Sequence, residues 1–243
     1  MSDVALTLAG EPVYLLSERA LFWPGASTLV VADLHWGKGP PAFSAQATPF
    51  PLATTSDDLG RLDSALRRTE ARRMVVLGDL FHGRTDRIAS HTLAELRRWR
   101  SLADTFEILL VRSNHDRHSG DPPNELRINC VAAPAYVPPF VFRHEPAQST
   151  DGYSLAGHVH PGITLVGRGL QRETLPCFVV GKSAALIPAF GSFTSLGSVE
   201  PKPGDRVFVV AGDDVLEMND PADLDPTAYP TSLHEMSHPD PLR

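Results

Sequence analysis

The chain has 243 residues, 42% of them hydrophobic and 21% charged, and a formal net charge of −7. That is enough apolar material for a sizeable core without disulfides or structural zinc, and it excludes collagen-like, coiled-coil and wholly disordered chains. No apolar run approaches the roughly 20 residues of a membrane-spanning helix. The opening residues read as no secretory signal, and Cys130 and Cys177 form no CxxC pair, so a reduced, cytoplasmic setting is expected. Overall acidity argues against a protein that coats nucleic acid. It does not argue against a locally positive site: residues 61–117 hold twelve arginines against eight acids.

The first apolar run, 27–32, reads as a buried strand. A long Pro-rich connection follows over 37–55, of the kind that is uncommon unless functional or mobile. Spacing then predicts a helix over 57–70, with Leu59, Leu62, Ala65 and Leu66 on one face and Thr54, Thr55 or Ser56 as N-cap. A strand over 74–77 precedes a second helix over 88–103, whose apolar face holds Leu93, Leu96 and Trp99. Further strands are expected over 106–112, 140–142, 153–156, 177–180, 184–188 and 206–211. Alternating elements followed by strands predict an α/β layered sandwich of two packed sheets with helices outside. One domain is expected over 1–218, followed by a poorly ordered Pro- and Asp-rich tail over 219–243, in which His234 and His238 face solvent.

Five short motifs stand where strands should end: Asp33-Leu34-His35, Gly78-Asp79, Asn114-His115-Asp116, His144-Glu145 and Gly157-His158-Val159-His160. In open α/β sheets ligands bind at such ends. Residues i and i+2 of an extended chain share a face, so Asp33 with His35, and His158 with His160, can each aim two groups into one pocket. Asp33, His35, Asp79, Asn114, His144, His158 and His160 offer two carboxylates, one amide and four imidazoles. A single ion leaves several of these buried without partners, which is costly; two ions use all of them if one carboxylate bridges. Nitrogen and oxygen donors without thiolate favour Mn, Fe or Zn. Two such ions against two carboxylates leave the pocket at a charge of about +2, attractive to phosphate. Ions roughly 3.5–4 Å apart supply a hydroxide and stabilise both oxygens of an in-line displacement, which points to phosphoester hydrolysis.

Beside Asn114, His115 is assigned to leaving-group protonation or charge stabilisation, with Asp116 orienting it or serving as a surface carboxylate. Lys38 and Arg84 are candidate phosphate contacts, with solvated loop charges as the alternative, and His82 is a candidate for the pocket wall. Trp36, Phe81 and Phe193 fit core or rim packing better than base stacking. Gly181-Lys182-Ser183 lacks the earlier glycine of a phosphate-binding loop, and no G-x-S-x-G elbow supports serine hydrolysis.

The five motifs in this order resemble the calcineurin-like metallophosphoesterase superfamily, from Asp33 to Pro161, about half the chain. The resemblance implies a four-layer αββα sandwich, two mixed β-sheets flanked by helices, around a dinuclear centre. It implies one metal on Asp33, His35 and His160, a second on Asn114, His144 and His158, and Asp79 bridging. The family usually has Gly before Asn-His for a tight turn; here Ser113 stands there, and retained metal binding with a slightly altered loop is expected. More narrowly, Asp33-Leu34-His35-Trp36-Gly37-Lys38, Gly78-Asp79-Leu80-Phe81-His82, His144-Glu145-Pro146 and Pro188-Ala189-Phe190-Gly191 look like the bacterial ligase-associated DNA damage response endonucleases. That likeness implies a phosphodiesterase or endonuclease acting on DNA or nucleotide-like diesters with two divalent ions, Mn before Fe or Zn. It also implies a repair setting with other DNA-repair proteins as companions. Two other readings stand beside it: a phosphomonoesterase or dinucleotide polyphosphate hydrolase of the same superfamily, and a non-catalytic binding scaffold on the same fold.

Overall fold

The computed structural model describes residues 2–38, 53–102, 105–166 and 172–218. The Pro-rich connection beyond residue 38, the segment 167–171 and the tail 219–243 with His234 and His238 lie outside the described residues.

Seven strands follow one another in space as in sequence: β1 (Val4–Leu8), β2 (Glu11–Leu16), β3 (Ala20–Trp23), β4 (Thr28–Val31), β5 (Arg73–Val76), β6 (Glu107–Arg112) and β7 (Ile128–Ala132). β1 to β4 pair antiparallel and β4 to β7 parallel. Parallel strands need crossovers. Helix α1 (Ala53–Thr69) lies between β4 and β5, and α2 (Ser90–Leu102) between β5 and β6. The parallel strands carry apolar residues on both faces because both faces are covered. Leu29, Val31, Met74, Val76, Ile108 and Leu110 meet Leu59, Leu62, Ala65 and Leu66 of α1 and Leu96 and Trp99 of α2. Val30, Ala32, Val75, Leu77 and Val111 point the other way, to the second sheet.

That sheet contains β8 (Ala135–Val137), β9 (Phe140–Phe142), β10 (Tyr153–Ala156), β11 (Pro161–Val166), β12 (Arg172–Val180), β13 (Ala184–Leu186), β14 (Gly197–Ser198), β15 (Arg206–Ala211) and β16 (Asp214–Glu217). Its order is β14-β11-β12-β13-β10-β9-β8, with β15 and β16 branching from β12. Alternation along β12 and β15 sends Phe178, Val180, Phe208 and Val210 into the core between the sheets. Cys177, Val179, Val207 and Val209 face outward, against Ile163 and Val199. The two-sheet α/β sandwich expected from the sequence is therefore what forms. Its long helices flank the first sheet; among the described residues the second sheet's outer face carries no helix.

Several expectations shift. α1 is already under way at Ala53, so Thr55 and Ser56 lie in its first turns rather than at its cap. Arg100 sits on the buried face of α2, where Nε donates to Leu126 O (2.9 Å) and Nη2 to Phe106 O (2.9 Å). The meander β1–β3 has no counterpart among the expected strands. Its first turn, Ala9-Gly10, has positive φ at both residues, the two-residue hairpin geometry, but lacks the Asn-Gly or Asp-Gly signal that announces it. Expected strands over 74–77 and 106–112 appear as β5 and β6, within one residue at either end, and that over 177–180 is the second half of the longer β12.

Candidate metal centre

The carboxyl ends of β4 and β5 in one sheet meet those of β9 and β10 in the other, and a parallel bridge from Ala32 to Ala189 ties the sheets there. Beyond β4 the chain stays in register with the chain beyond β5. Asp33 N donates to Gly78 O (3.3 Å), His35 N to Asp79 O (2.9 Å) and Trp36 N to Leu80 O (2.9 Å). This places Asp33, His35 and Asp79 on one side. From the second sheet come His144 after β9 and His158 and His160 between β10 and β11.

The six side chains converge. His35 Nε2 lies 3.3 Å from His160 Nε2 and 3.6 Å from Asp79 Oδ2. His160 Nε2 lies 3.5 Å from Asp33 Oδ1. His144 Nε2 is 2.9 Å from His158 Nδ1 and 3.5 Å from Asp79 Oδ1. Thus the two oxygens of Asp79 face different imidazole groups, Oδ2 toward His35 and Oδ1 toward His144. Asp33, His35 and His160 form one set of potential metal ligands within 4.8 Å of one another, and Asp33, Asp79 and His144 another.

Backbone carbonyls orient the rings. His144 Nδ1 pairs with Leu77 O (2.8 Å) and His160 Nδ1 with Ser195 O (3.1 Å), which leaves Nε2 of each as the nitrogen that could hold a metal. His158 N donates to Asp33 Oδ2 (2.9 Å). Asp33 is fully buried, and its Oδ1 has no hydrogen-bond partner. An orphaned carboxylate oxygen is costly. Two ligand atoms each about 2.1 Å from one ion lie about 3.0–3.4 Å apart, close to the spacings here. The donor set therefore fits divalent cations.

Burial, partly opposed by Asp79 and Asp33, lowers His35 to about 4, so the ring is neutral and able to ligate near neutrality. Burial pushes Asp79 up, but the Ser113 hydroxyl, then His144, His35 and His115, outweigh it, and the carboxyl titrates below its usual range. Burial pushes His160 down, and Asp33 more than reverses it.

The remaining expected residues lie around this cluster. Asn114 opens helix α3 (Asn114–Ser119) and is exposed; its Nδ2 donates to Glu145 Oε1 (2.9 Å), which leaves the amide oxygen available to a ligand. His115 is exposed at the same rim, near enough to Asp79 and His82 to act on both. His82 stands with its ring centre 6.2 Å from that of His35, and burial, then Lys38 and His115, lowers its pKa. Lys38 is near enough to lower His35 as well.

Two expectations need correction. Asp116 does not orient His115. Its buried carboxylate accepts from the backbone N–H groups of Ser113, Asp79 and Leu80 at 2.9–3.0 Å, while His115 Nδ1 pairs with Ser119 Oγ (3.2 Å). Helix geometry explains this: Asp116 is the third residue of α3 and closes a capping box with Ser113. Arg84 is exposed and held in a two-point pair with Asp86 (3.0 and 3.1 Å) rather than turned to the pocket. Trp36 and Phe81 are buried in the helix-side core, while Phe193 is 38% exposed.

The sequence marks Ser113, Gly78 and Gly157 within its motifs but not how they support the ligands. Ser113 has φ −78°, so its turn does not require the glycine usual in the family; its hydroxyl accepts from Asp116 N (2.9 Å) and donates to Asp79 Oδ1 (2.6 Å). Gly78 has φ +78°, and a Cβ there would strike the His144 ring; one on Gly157 would come within 2.5 Å of Asp33 Oδ2. The glycines immediately before Asp79 and His158 are the available signal.

No protein-family model matches the chain, and a search of curated proteins finds no match. Among solved structures, the Pseudomonas putida nuclease MPE shares 34% identity at a TM-score of 0.76, covering 89% of this chain and all of that one. The E. coli phosphoesterase Yfce aligns at 13% identity and a TM-score of 0.38, over 79% of this chain and 97% of that one. Layer architecture alone recurs among unrelated proteins. An identity of 34% sustained over 89% of the sequence is inheritance, and it places this chain in the metallophosphoesterase family, as a metal-dependent hydrolase of phosphate esters.

Proposed function

We propose that this family member cleaves phosphodiester bonds in DNA, in a repair setting, with two manganese ions. The observation that carries the metal reading is Asp33 Oδ1, a fully buried carboxylate oxygen without a hydrogen bond, faced by an imidazole across the junction of the sheets. A nucleic-acid substrate is supported by the likeness to the Pseudomonas putida protein, which is a nuclease.

In this reading Asp33, His35 and His160 would hold one ion and Asn114, His144 and His158 the other, with Asp79 shared between them. Divalent ions held there would supply Lewis-acid charge and an activated water for attack on phosphorus. The chain's own residues do the rest. Leu77 O and Ser195 O fix which nitrogen His144 and His160 present. Ser119 occupies His115 Nδ1, which leaves Nε2 to carry the proton delivered to the leaving oxygen. Lys38 and His82 face the phosphate, while Arg84 stays with Asp86. Asp116 ties the segment that carries Asp79 to the one that carries Asn114 and His115, and does not act on the substrate.

The protein with Mn is expected to hydrolyse bis-p-nitrophenyl phosphate faster than p-nitrophenyl phosphate, and to cut DNA. Asp79→Ala and His158→Ala are each expected to lower that rate more than about 100-fold, the scale of a lost metal ligand. Folded variants with undiminished rates overturn the dinuclear reading; faster turnover of the monoester overturns the diester reading.

A further inference from the structure

One motif of the sequence, Pro188-Ala189-Phe190-Gly191, carries no metal donor, yet the chain from 188 to 197 touches both halves of the site. Phe190 N donates to Ala32 O (2.8 Å) and Gly191 N to Asp33 O (3.1 Å). A Cβ on Gly191 would come within 2.5 Å of Leu34 O, so the strap lies directly on the Asp33 loop. Further along, Ser195 O takes His160 Nδ1 (3.1 Å), and Gly197 N donates to His160 O (2.8 Å). A single strap therefore fixes the backbone of Asp33 from the first sheet and the ring of His160 from the second.

Helix α1 holds this strap. Asp58, 5% exposed, accepts from Ser192 Oγ (2.6 Å) and from Ser192 N (3.2 Å). One turn on, Arg61 donates to Asp58 Oδ1 (2.7 Å), to Ser192 Oγ (3.2 Å) and to Phe190 O, with its guanidinium 4.6 Å above the Phe190 ring. Asp58 is buried and Arg61 half-buried, and taking such a pair from water is a poor source of net stability, so their commitment to one loop serves its geometry.

We propose that Asp58 and Arg61 are positioning residues for the metal set Asp33–His35–His160: by clasping the strap at Phe190 and Ser192, they keep Ser195 O on His160 Nδ1 and so hold Nε2 toward Asp33. The inference rests on the dinuclear reading above. His144 is anchored separately, on Leu77 O, so the clasp acts chiefly on one of the two ions.

The test titrates Mn²⁺ alone into full-length, EDTA-stripped protein and counts free ion by electron paramagnetic resonance. Asp58→Ala is expected to weaken one of two ions about 10–100-fold, the usual loss for a residue that orients a ligand. Excess Mn restores turnover, and the loss is non-additive with that of His160→Ala. Arg67→Ala, at an exposed pair with Asp63 on the same helix, binds as the wild type does. Ser192→Ala removes only one hydroxyl and shows the same selective loss if Asp58→Ala does not fold. Both ions retained at wild-type affinity in these variants, or both weakened equally in Ser192→Ala, overturns the proposal while the dinuclear reading stands. Wild-type protein that binds fewer than two ions overturns that reading and the proposal together.

Discussion

Asp33, His35, Asp79, His158 and His160 all have φ between 44° and 72°. Each such residue costs on the order of 1–3 kcal/mol and persists only where its surroundings enforce it. Here the enforcement is visible: paired loops after β4 and β5, and the strap from 188 to 197. Gly78 is part of it, because no other residue combines φ +78° with room for the His144 ring. Gly78→Ala is expected to lower stability by more than about 1 kcal/mol and to abolish Mn binding, read by thermal melting and metal titration. Ser113→Ala is expected to cost about 1 kcal/mol through the lost cap of α3. It also leaves Asp79 Oδ1 without its hydroxyl partner, so Mn affinity falls as well; a variant with unchanged affinity shows that the hydroxyl serves only the helix.

Among the elements, α1 has two duties. Its apolar face covers β4 and β5 through Leu59, Leu62, Ala65 and Leu66, and its first turns carry the clasp on the strap. Leu62 is fully buried, so Leu62→Ala is expected to destabilise by about 2–5 kcal/mol, measured by urea unfolding. Its Mn affinity is expected to stay near wild type at low temperature, since the folded variant keeps Asp58 and Arg61. Helix α3 is only six residues long and depends on the Ser113–Asp116 capping box, which explains why no helical periodicity announces it.

Across the whole molecule, the site is a joint between two sheets. Asp33, His35 and Asp79 belong to one, His144, His158 and His160 to the other. Ions held by both therefore bind the folded state and not the separated sheets. At a Mn concentration 100 times its dissociation constant, that linkage adds about 2.7 kcal/mol for each ion. For a chain of this size the melting temperature is expected to rise by roughly 5–10 °C for each ion bound, and EDTA to reverse it. A melting temperature indifferent to Mn is incompatible with ions cross-linking the sheets.

Much of this is legible along the chain because it is local. Apolar strands end in Asp33, Asp79, His144 and His158, helical spacing marks the inner face of α1, and the order of donors carries the family likeness. Other features depend on groups distant in sequence, and local pattern holds no trace of them. The role of Asp116 is hidden because its partners, Asp79 and Leu80, are more than 30 residues away. The clasp joins Asp58 to Ser192, 134 residues apart, through hydrogen bonds that exist only once both sheets and α1 have assembled. Sequence pattern reports what each segment buries and where it turns; which side chains then share a buried space is set by the closing of the sheets, where every polar atom taken from water must find its partner.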